Sequence, residues 1–368
     1  MEKTLSTKNI VLKELNKGEF VSGERLADIA GVSRTAIWKA VRSLRKEGYL
    51  IDAITNKGYC ISKENDVMTL ESLKEALSHY FDEDNIPPVW YFDSIDSTNN
   101  ELKRMAASCG AIRNAAGDLT TEGIKYHKGT VIAASQTAGK GRLGRSFYSP
   151  DKSGVYMSLM YAPKGGVKEP ALFTSNASIA VCRALSSLYG LDPKIKWVND
   201  IFVNEKKVCG ILTEGVANFE SGIIEAAIVG IGINISNGKG FPEEIASVAG
   251  SLLGDASITE SKREKVTRSE LVACVIANLL AIYDAEEAGD KKVLEETLAE
   301  YRKRSILIGK TVKVIPVIGN DKSSYEATVL DIDAQAGLVV RLEDGSAKVL
   351  KSGEVSLKSA NFSKHCDI

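Results

Sequence analysis

The chain has 368 residues, 44% hydrophobic and 26% charged, which suits two or three globular domains and excludes a mainly disordered chain. Its 47 Lys and Arg balance 48 Asp and Glu for a formal net charge of −1, so a uniformly basic nucleic-acid coat is excluded, although a basic face on one domain is not. No apolar run approaches the ~20 residues of a membrane span, Met1 to Asn9 carry no signal-peptide core, and the cysteines at 60, 109, 182, 209, 274 and 366 form no CxxC pair; a reduced cytoplasmic protein with no membrane association, no disulfide framework and no protein-only metal site is expected.

Residues 1–64 carry 12 Lys and Arg against 8 Asp and Glu. Ile10, Val11, Leu12 and Leu15 give an apolar helical stripe. Ser22 starts a second helix that buries Leu26, Ile29 and Ala30, Gly31-Val32 turns the chain, and Ser33 caps a third helix to about Lys46. Two strands, Tyr49–Ile54 and Gly58–Ile61, flank a tip at 55–57. Residues 62–68 are a polar joint. Beyond it strands and helices alternate: strands at 89–92, 130–135, 155–161, 195–197, 201–203, 208–214 and 223–235, and helices at 98–107, 172–189, 268–285 and on to about 303. Residues 109–128 read as an inserted surface loop. From Gly309 short β-like runs at 311–317, 325–331, 337–342 and 347–350 predict a small all-β barrel.

Two short helices around a tight turn, followed by a hairpin, make a winged helix-turn-helix, whose second helix enters the DNA major groove. Ser33, Arg34, Thr35, Trp38, Lys39 and Arg42 on that helix and Lys57 on the wing are the candidate DNA contacts, and no acid interrupts 33–46. The bland alternative is a solvated basic face.

Residues 135–150 read SQTAGKGRLGRSFYSP. Gly139, Gly141 and Gly144 alternate with Lys140, Arg142 and Arg145, a pattern that lets backbone N–H groups and cations approach an anion. It is neither a Walker A loop nor a dinucleotide fingerprint. Around it stand Asp96-Ser-Thr-Asn99 opening a helix, KWVND at 196–200 with Lys207 across a turn, and Gly230-Ile-Gly-Ile-Asn234.

Taken in order, the winged helix, DSTN, GKGRLGR, KWVND, GIGIN and the terminal barrel resemble the biotin protein ligase family, in the bifunctional members that are also biotin operon repressors. The resemblance spans nearly the whole chain. Lys140 stands where the family pattern has Arg, Phe147 where it has Trp and Val198 where it has Pro. It implies an α+β multidomain fold: a winged helix-turn-helix (1–64), a mixed α/β ligase domain (70–305) and a small SH3-like β-barrel (309–358). The implied reaction joins biotin and ATP, with Mg²⁺, into biotinyl-5′-adenylate and passes the biotinyl group to one lysine of a biotin carboxyl carrier protein.

By resemblance, Ser97, Thr98, Asn99 and Gln136 meet the biotin ring, and Lys140, Gly141, Arg142 and Lys207 its carboxylate. Gly139, Lys140, Arg142, Arg145, Asn199 and Asn234 meet the nucleotide. Arg142, Lys207 and Asp200 carry the chemistry, Asp200 as acceptor of the incoming lysine's proton. The implied partners are the carrier protein, operator DNA and a second copy of the chain, the homodimer forming with the adenylate as loops 139–146 and 236–241 order. Plain structural readings stay open: a helix cap at 97–99, a solvent-facing Lys207, a core Trp197, Asn234 satisfying a strand end, and Cys209 as a small apolar residue. His79, His127 and His365 receive no role. A ligase whose helical segment binds no DNA, and a lipoate-attaching relative, are the competing functions.

Overall fold

The computed structural model describes residues 6–62, 65–114, 116–218, 222–236, 240–254, 258, 266–315, 324–351 and 353–357. Residues 63–64 of the polar joint, 237–239 of the second predicted ordering loop, His365 and Cys366 lie outside them. Among the described residues the five cysteines form no disulfide.

At the N-terminus, α1 (Thr7–Leu15), α2 (Gly23–Ala30) and α3 (Arg34–Lys46) are each capped by a serine: Ser6, Ser22 and Ser33 accept from the backbone N–H three residues on. Gly31 ends α2 in the left-handed region at φ 64°. Leu15, Leu26, Ile37 and Leu44 meet in a separate small core, closed by the hairpin of β1 (Ile51–Ile54) and β2 (Gly58–Ile61). The joint after it is anchored: Asp66 accepts from the Arg268 backbone N–H and Nε, each at 2.8 Å.

The central unit begins with α4 (Leu70–Leu77), β3 (Val89–Phe92), α5 (Thr98–Ser108), α6 (Thr121–Tyr126), β4 (Thr130–Ala133) and β5 (Gly154–Tyr161). Then come α7 (Pro170–Tyr189), β6 (Lys194–Lys196), β7 (Asp200–Val203), β8 (Lys206–Ala217) and β9 (Ile224–Asn234). It ends with α8 (Glu243–Ala246), α9 (Arg268–Ala288) and α10 (Lys291–Arg304). Its seven strands form one sheet in the order β3-β4-β5-β9-β8-β7-β6. Only β3 and β4 run parallel; the other neighbours are antiparallel.

The period of two along each strand sorts side chains between two faces. Val155, Met157, Leu159 and Tyr161 of β5 join Ala227, Val229, Ile231 and Ile233 of β9 under α7 and α9. Met160 and Ala226 and Ile228 face the other way, under Leu102 and Ala106 of α5. Pro170 opens α7, and Gly190, left-handed at φ 69°, ends it.

Residues 109–128 are not the bare loop expected. Ile112 is fully buried, Thr120 caps α6 by accepting from Gly123 N, and a Cβ at Gly123 would collide with the Ile112 carbonyl. The segment's apolar anchors, Ile112 with the partly buried Leu119 and Tyr126, are too sparse to register as a periodic pattern.

The last unit is an antiparallel sheet of β10 (Thr311–Ile315), β11 (Tyr325–Ile332), β12 (Leu338–Arg341), β13 (Ala347–Leu350) and β14 (Glu354–Leu357), in the order β13-β12-β11-β10-β14. It is tied to the centre by Trp197 Nε1 donating to the Ala336 carbonyl at 2.7 Å and by Arg302 donating to the Ile332 carbonyl. The core of the two units is continuous.

Candidate active site and DNA-facing helix

On the α5 side of the sheet, positions 226, 228, 230, 232 and 234 of β9 read Ala, Ile, Gly, Gly, Asn. Where the two glycines stand, the sheet floor lacks side chains. Gly230 pairs with Ser158 and Leu212, and Gly232 with Tyr156 and Gly210. A Cβ at Gly230 would collide with the Asn99 amide, and one at Gly232 with the Phe147 ring. The GIGIN glycines therefore admit two side chains from outside the sheet. Above them lies a cavity of about 910 Å³.

At one end of the cavity α5 begins. Ser97 occupies its N-cap position but makes no side-chain cap bond. The cap comes from Gln136, whose Oε1 accepts from Thr98 N at 2.8 Å and from Thr98 Oγ1 at 3.2 Å. Gln136 Nε2 in turn donates to Ser149 Oγ at 2.9 Å. The local cap considered at 97–99 is therefore not made by Ser97, because a residue 38 positions away takes its place. Ser97, Thr98 and Asn99 are buried.

The glycine-basic loop closes on itself: Gly141 N donates to Arg145 O at 2.7 Å, and Phe147 N to Gly139 O at 2.8 Å. A Cβ at Gly139 would lie 2.5 Å from the Phe147 carbonyl, and Gly144 sits at φ 78°, so these two positions require glycine on packing and backbone grounds alone. Lys140 Nζ donates to Asn100 Oδ1 at 2.6 Å. Arg142 reaches Asn199 Oδ1 at 3.0 Å and the Gly353 carbonyl of the terminal sheet at 3.1 Å. Lys207 Nζ stands 2.7 Å from Asp200 Oδ1, so it turns inward and not to solvent. Asn234 Nδ2 donates to the Gly250 carbonyl at 3.1 Å, the strand-end role considered for it.

All thirteen residues proposed for biotin, nucleotide or catalysis line this one cavity. Neutral hydrogen-bonding groups gather around the start of α5, while Lys140, Arg142, Arg145 and Lys207 bring four cations to the rest. Such an arrangement suits a neutral polar ring joined to anionic groups. Trp197 is 4% exposed and lines the cavity as well. Burial pushes the Cys209 thiol far above its ordinary pKa, which leaves it an inert apolar neighbour. His79 and His127 lie elsewhere. Among the described residues no three His, Cys, Asp or Glu form a metal cluster.

Residues 112–234 match the Biotin/lipoate A/B protein ligase family, residues 8–60 an HTH domain, and residues 307–358 the Biotin protein ligase C terminal domain. The chain is 32% identical over 277 residues to the bifunctional ligase/repressor BirA of Bacillus spizizenii, across 75% of this chain and 77% of that one. It belongs to the biotin protein ligase family. Against the bifunctional ligase/repressor BirA of Escherichia coli the identity is 28% over 359 residues, 98% of this chain and 99% of the other. The fold matches the biotin protein ligase of Aquifex aeolicus, solved in complex with biotin and ATP, at a TM-score of 0.56 and 24% identity over 74% of this chain and 99% of that one.

Several parts of this ligase's site were not visible as motifs. Phe241, Pro242, Ile245 and Val248 form a wall, hung on β8 by Lys207 N donating to Val248 O and Gly250 N to Lys207 O. Ile315, Val355 and Ser356 reach in from the terminal sheet. Ser158 and Glu214 stand behind Asn99.

On the N-terminal unit, Ser33 caps α3, and Arg34, Thr35, Trp38, Lys39 and Arg42 are exposed along it. The Arg42 guanidinium lies over the Trp38 ring, 5.3 Å from its centroid. Lys57 is exposed at the wing tip. Arg45 is spent differently, donating to the Ile51 carbonyl at 2.6 Å; it braces the wing against the helix.

Proposed function

We infer that this chain activates biotin with ATP to biotinyl-5′-adenylate, transfers the biotinyl group to a lysine of a biotin carboxyl carrier protein, and represses biotin genes through its winged helix when biotin is plentiful. The observation that carries the ligase reading is the single cavity joining the buried Ser97–Asn99 and Gln136 cluster to Lys140, Arg142, Arg145 and Lys207.

The first step needs no general base, since a carboxylate is already ionised at neutral pH. A carboxylate oxygen attacks the α-phosphorus of ATP and pyrophosphate leaves. Two anions must be brought together, and cations fixed beforehand by Asn199, Gly353 and Asp200 lower that cost. Asn199 and Asp200, which line the cavity, would help to hold Mg²⁺ bound with the nucleotide, and the ion would add charge neutralisation at the phosphates. In the second step the carrier lysine attacks the activated carbonyl, AMP leaves, and Asp200 is placed in the reading as acceptor of the amine proton.

Further parts of the reading are a carrier-protein partner, operator DNA, a homodimer when the adenylate is bound, and a cytoplasmic location. The segments 1–64, 70–305 and 309–358 serve as DNA-reading, catalytic and closing units, with the terminal sheet curling into a small SH3-like barrel. The repressor reading is favoured over a ligase alone by the acid-free exposed face of α3 and its capped start. Biotin-dependent exchange between ATP and labelled pyrophosphate tests the ligase. Exchange driven by biotin and not by lipoate supports it; exchange driven by lipoate alone moves the chain to lipoate attachment.

A further inference from the structure

We propose that Glu214, which does not line the cavity, is a positioning residue for the biotin-ring pocket: its carboxylate fixes the Asn99 amide and, through Asn99 and Ser158, the direction of the hydrogen bonds that end on Thr98. The inference rests on the reading of Ser97–Asn99 and Gln136 as the ring's contacts.

The Asn99 side chain is wedged over Gly230, between β8 and β5. Its Nδ2 donates to Glu214 Oε2 at 2.7 Å and to the Leu212 carbonyl at 3.3 Å. Neither group can donate in return. The amide therefore has one satisfied orientation, with nitrogen toward β8 and Oδ1 toward β5. Lys103, one turn further along α5, donates to Glu214 Oε1 at 2.5 Å. Burial works against the Glu214 charge, but the bonds from Lys103 and Asn99 outweigh it and hold the carboxyl below its usual range. At neutral pH it only accepts.

On the far side, the buried Ser158 hydroxyl lies 2.5 Å from Asn99 Oδ1 and 2.6 Å from Thr98 Oγ1. It has one proton for two acceptors. With Asn99 locked as an acceptor, that proton is shared between Asn99 Oδ1 and Thr98 Oγ1 instead of resting on Thr98 alone. The Thr98 proton goes to Gln136 Oε1 at 3.2 Å, and Gln136 is itself fixed, because Ser149, which receives its Nε2–H, donates onward to the Phe147 carbonyl at 2.9 Å. Thr98 Oγ1 is left with lone-pair density for an incoming N–H, which a cyclic urea carries. A reversed Asn99 amide would turn the Ser158 proton wholly onto Thr98 and leave its oxygen less lone-pair density for the ring.

Glu214→Gln keeps the shape but adds an N–H₂ group, so both Asn99 orientations become possible. Calorimetric titration of the full-length chain with biotin reads the consequence. Biotin Kd and KM are expected to rise about tenfold, the range for loss of a charge-assisted bond, with the ATP KM and the melting temperature unchanged. Glu214→Asp, which still only accepts, recovers part of the loss. In a Ser158→Ala background Glu214→Gln adds no further loss, because the route is already cut. Full additivity of the two changes overturns the proposal, as does an unchanged biotin Kd in Glu214→Gln when Thr98→Ala weakens binding. If Thr98→Ala also leaves biotin binding intact, the placement of the ring has failed instead.

Discussion

Lys207 and Arg142 each hold a fixed partner, Asp200 Oδ1 at 2.7 Å and Asn199 Oδ1 at 3.0 Å. Replacing either by alanine removes a cation already oriented toward the cavity. Each change is expected to slow adenylate synthesis or speed adenylate loss roughly ten- to hundredfold, the worth of one charge-assisted hydrogen bond. Rapid-quench measurement of adenylate formation and a chase for its release check both. Away from the site, burial first, then Lys128 and Arg113, push the His127 imidazole down to about 4, against the opposing pull of Asp284. Its Nδ1 accepts from Ala162 N at 3.1 Å, a bond that needs the neutral ring. The unfolded chain takes up this proton near pH 6.5 and the folded chain only near 4. Stability from this residue is therefore whole above about pH 6.5 and lost as pH falls toward 4, about 3 kcal/mol in all. Urea unfolding from pH 7 to 4 will show this slope, and His127→Asn will flatten it. The cations of the site were legible because charge and glycine recur in a short run of sequence. Ser158 and Glu214 were not, since Ser158 is one polar residue in an apolar strand, Glu214 reads as a solvated charge toward the end of β8, and the meaning of each depends on Asn99, 59 or 115 residues away in the chain.

The elements that carry the site follow from periodicity. Helix α7, buried along most of its length, and the fully buried β5 have apolar patterns that read directly from sequence. The two-residue period of β9 separates the face that packs under α7 from the face that carries Gly230, Gly232 and Asn234. What the sequence suggested as anion-binding glycines at 139 and 144 turns out to be required by the loop's own packing and backbone, and the phosphate reading now depends on the cations between them. Helix α3 obeys the same logic with opposite faces: Ile37, Ala40, Val41 and Leu44 inward, Arg34, Lys39 and Arg42 outward. Arg34→Ala with Lys39→Ala leaves the inward face untouched, so folding survives. Operator binding is expected to weaken, with the slope of log K against log salt reduced by up to about 2 for two lost phosphate contacts. Biotinylation stays at the parent rate. Filter binding across a salt series checks this; an unchanged slope removes α3 as the reading element.

Across the whole molecule, the seven-stranded and five-stranded sheets meet where the cavity lies. Arg142 reaches the terminal sheet through Gly353, Trp197 through Ala336, and Asp66 anchors the helical unit to the start of α9. These long-range ties were beyond sequence reading, because each has a backbone group on one side, and backbone groups leave no motif. A two-fold dimer reads two half-sites where a monomer reads one, so an adenylate that favours the paired form tightens operator binding by the same coupling. Sedimentation velocity at concentrations that bind operator is expected to show doubled mass with adenylate and not without it; an unchanged mass removes the coupling. The most direct measurement of the central claim is transfer itself. Full-length chain, labelled biotin, Mg²⁺ and ATP are incubated with a biotin carboxyl carrier domain, and the carrier's intact mass is followed. One biotinyl group on one carrier lysine, dependent on ATP and strongly slowed by Lys207→Ala, is the predicted result; a carrier that stays unmodified while the chain is folded and binds both biotin and ATP contradicts it.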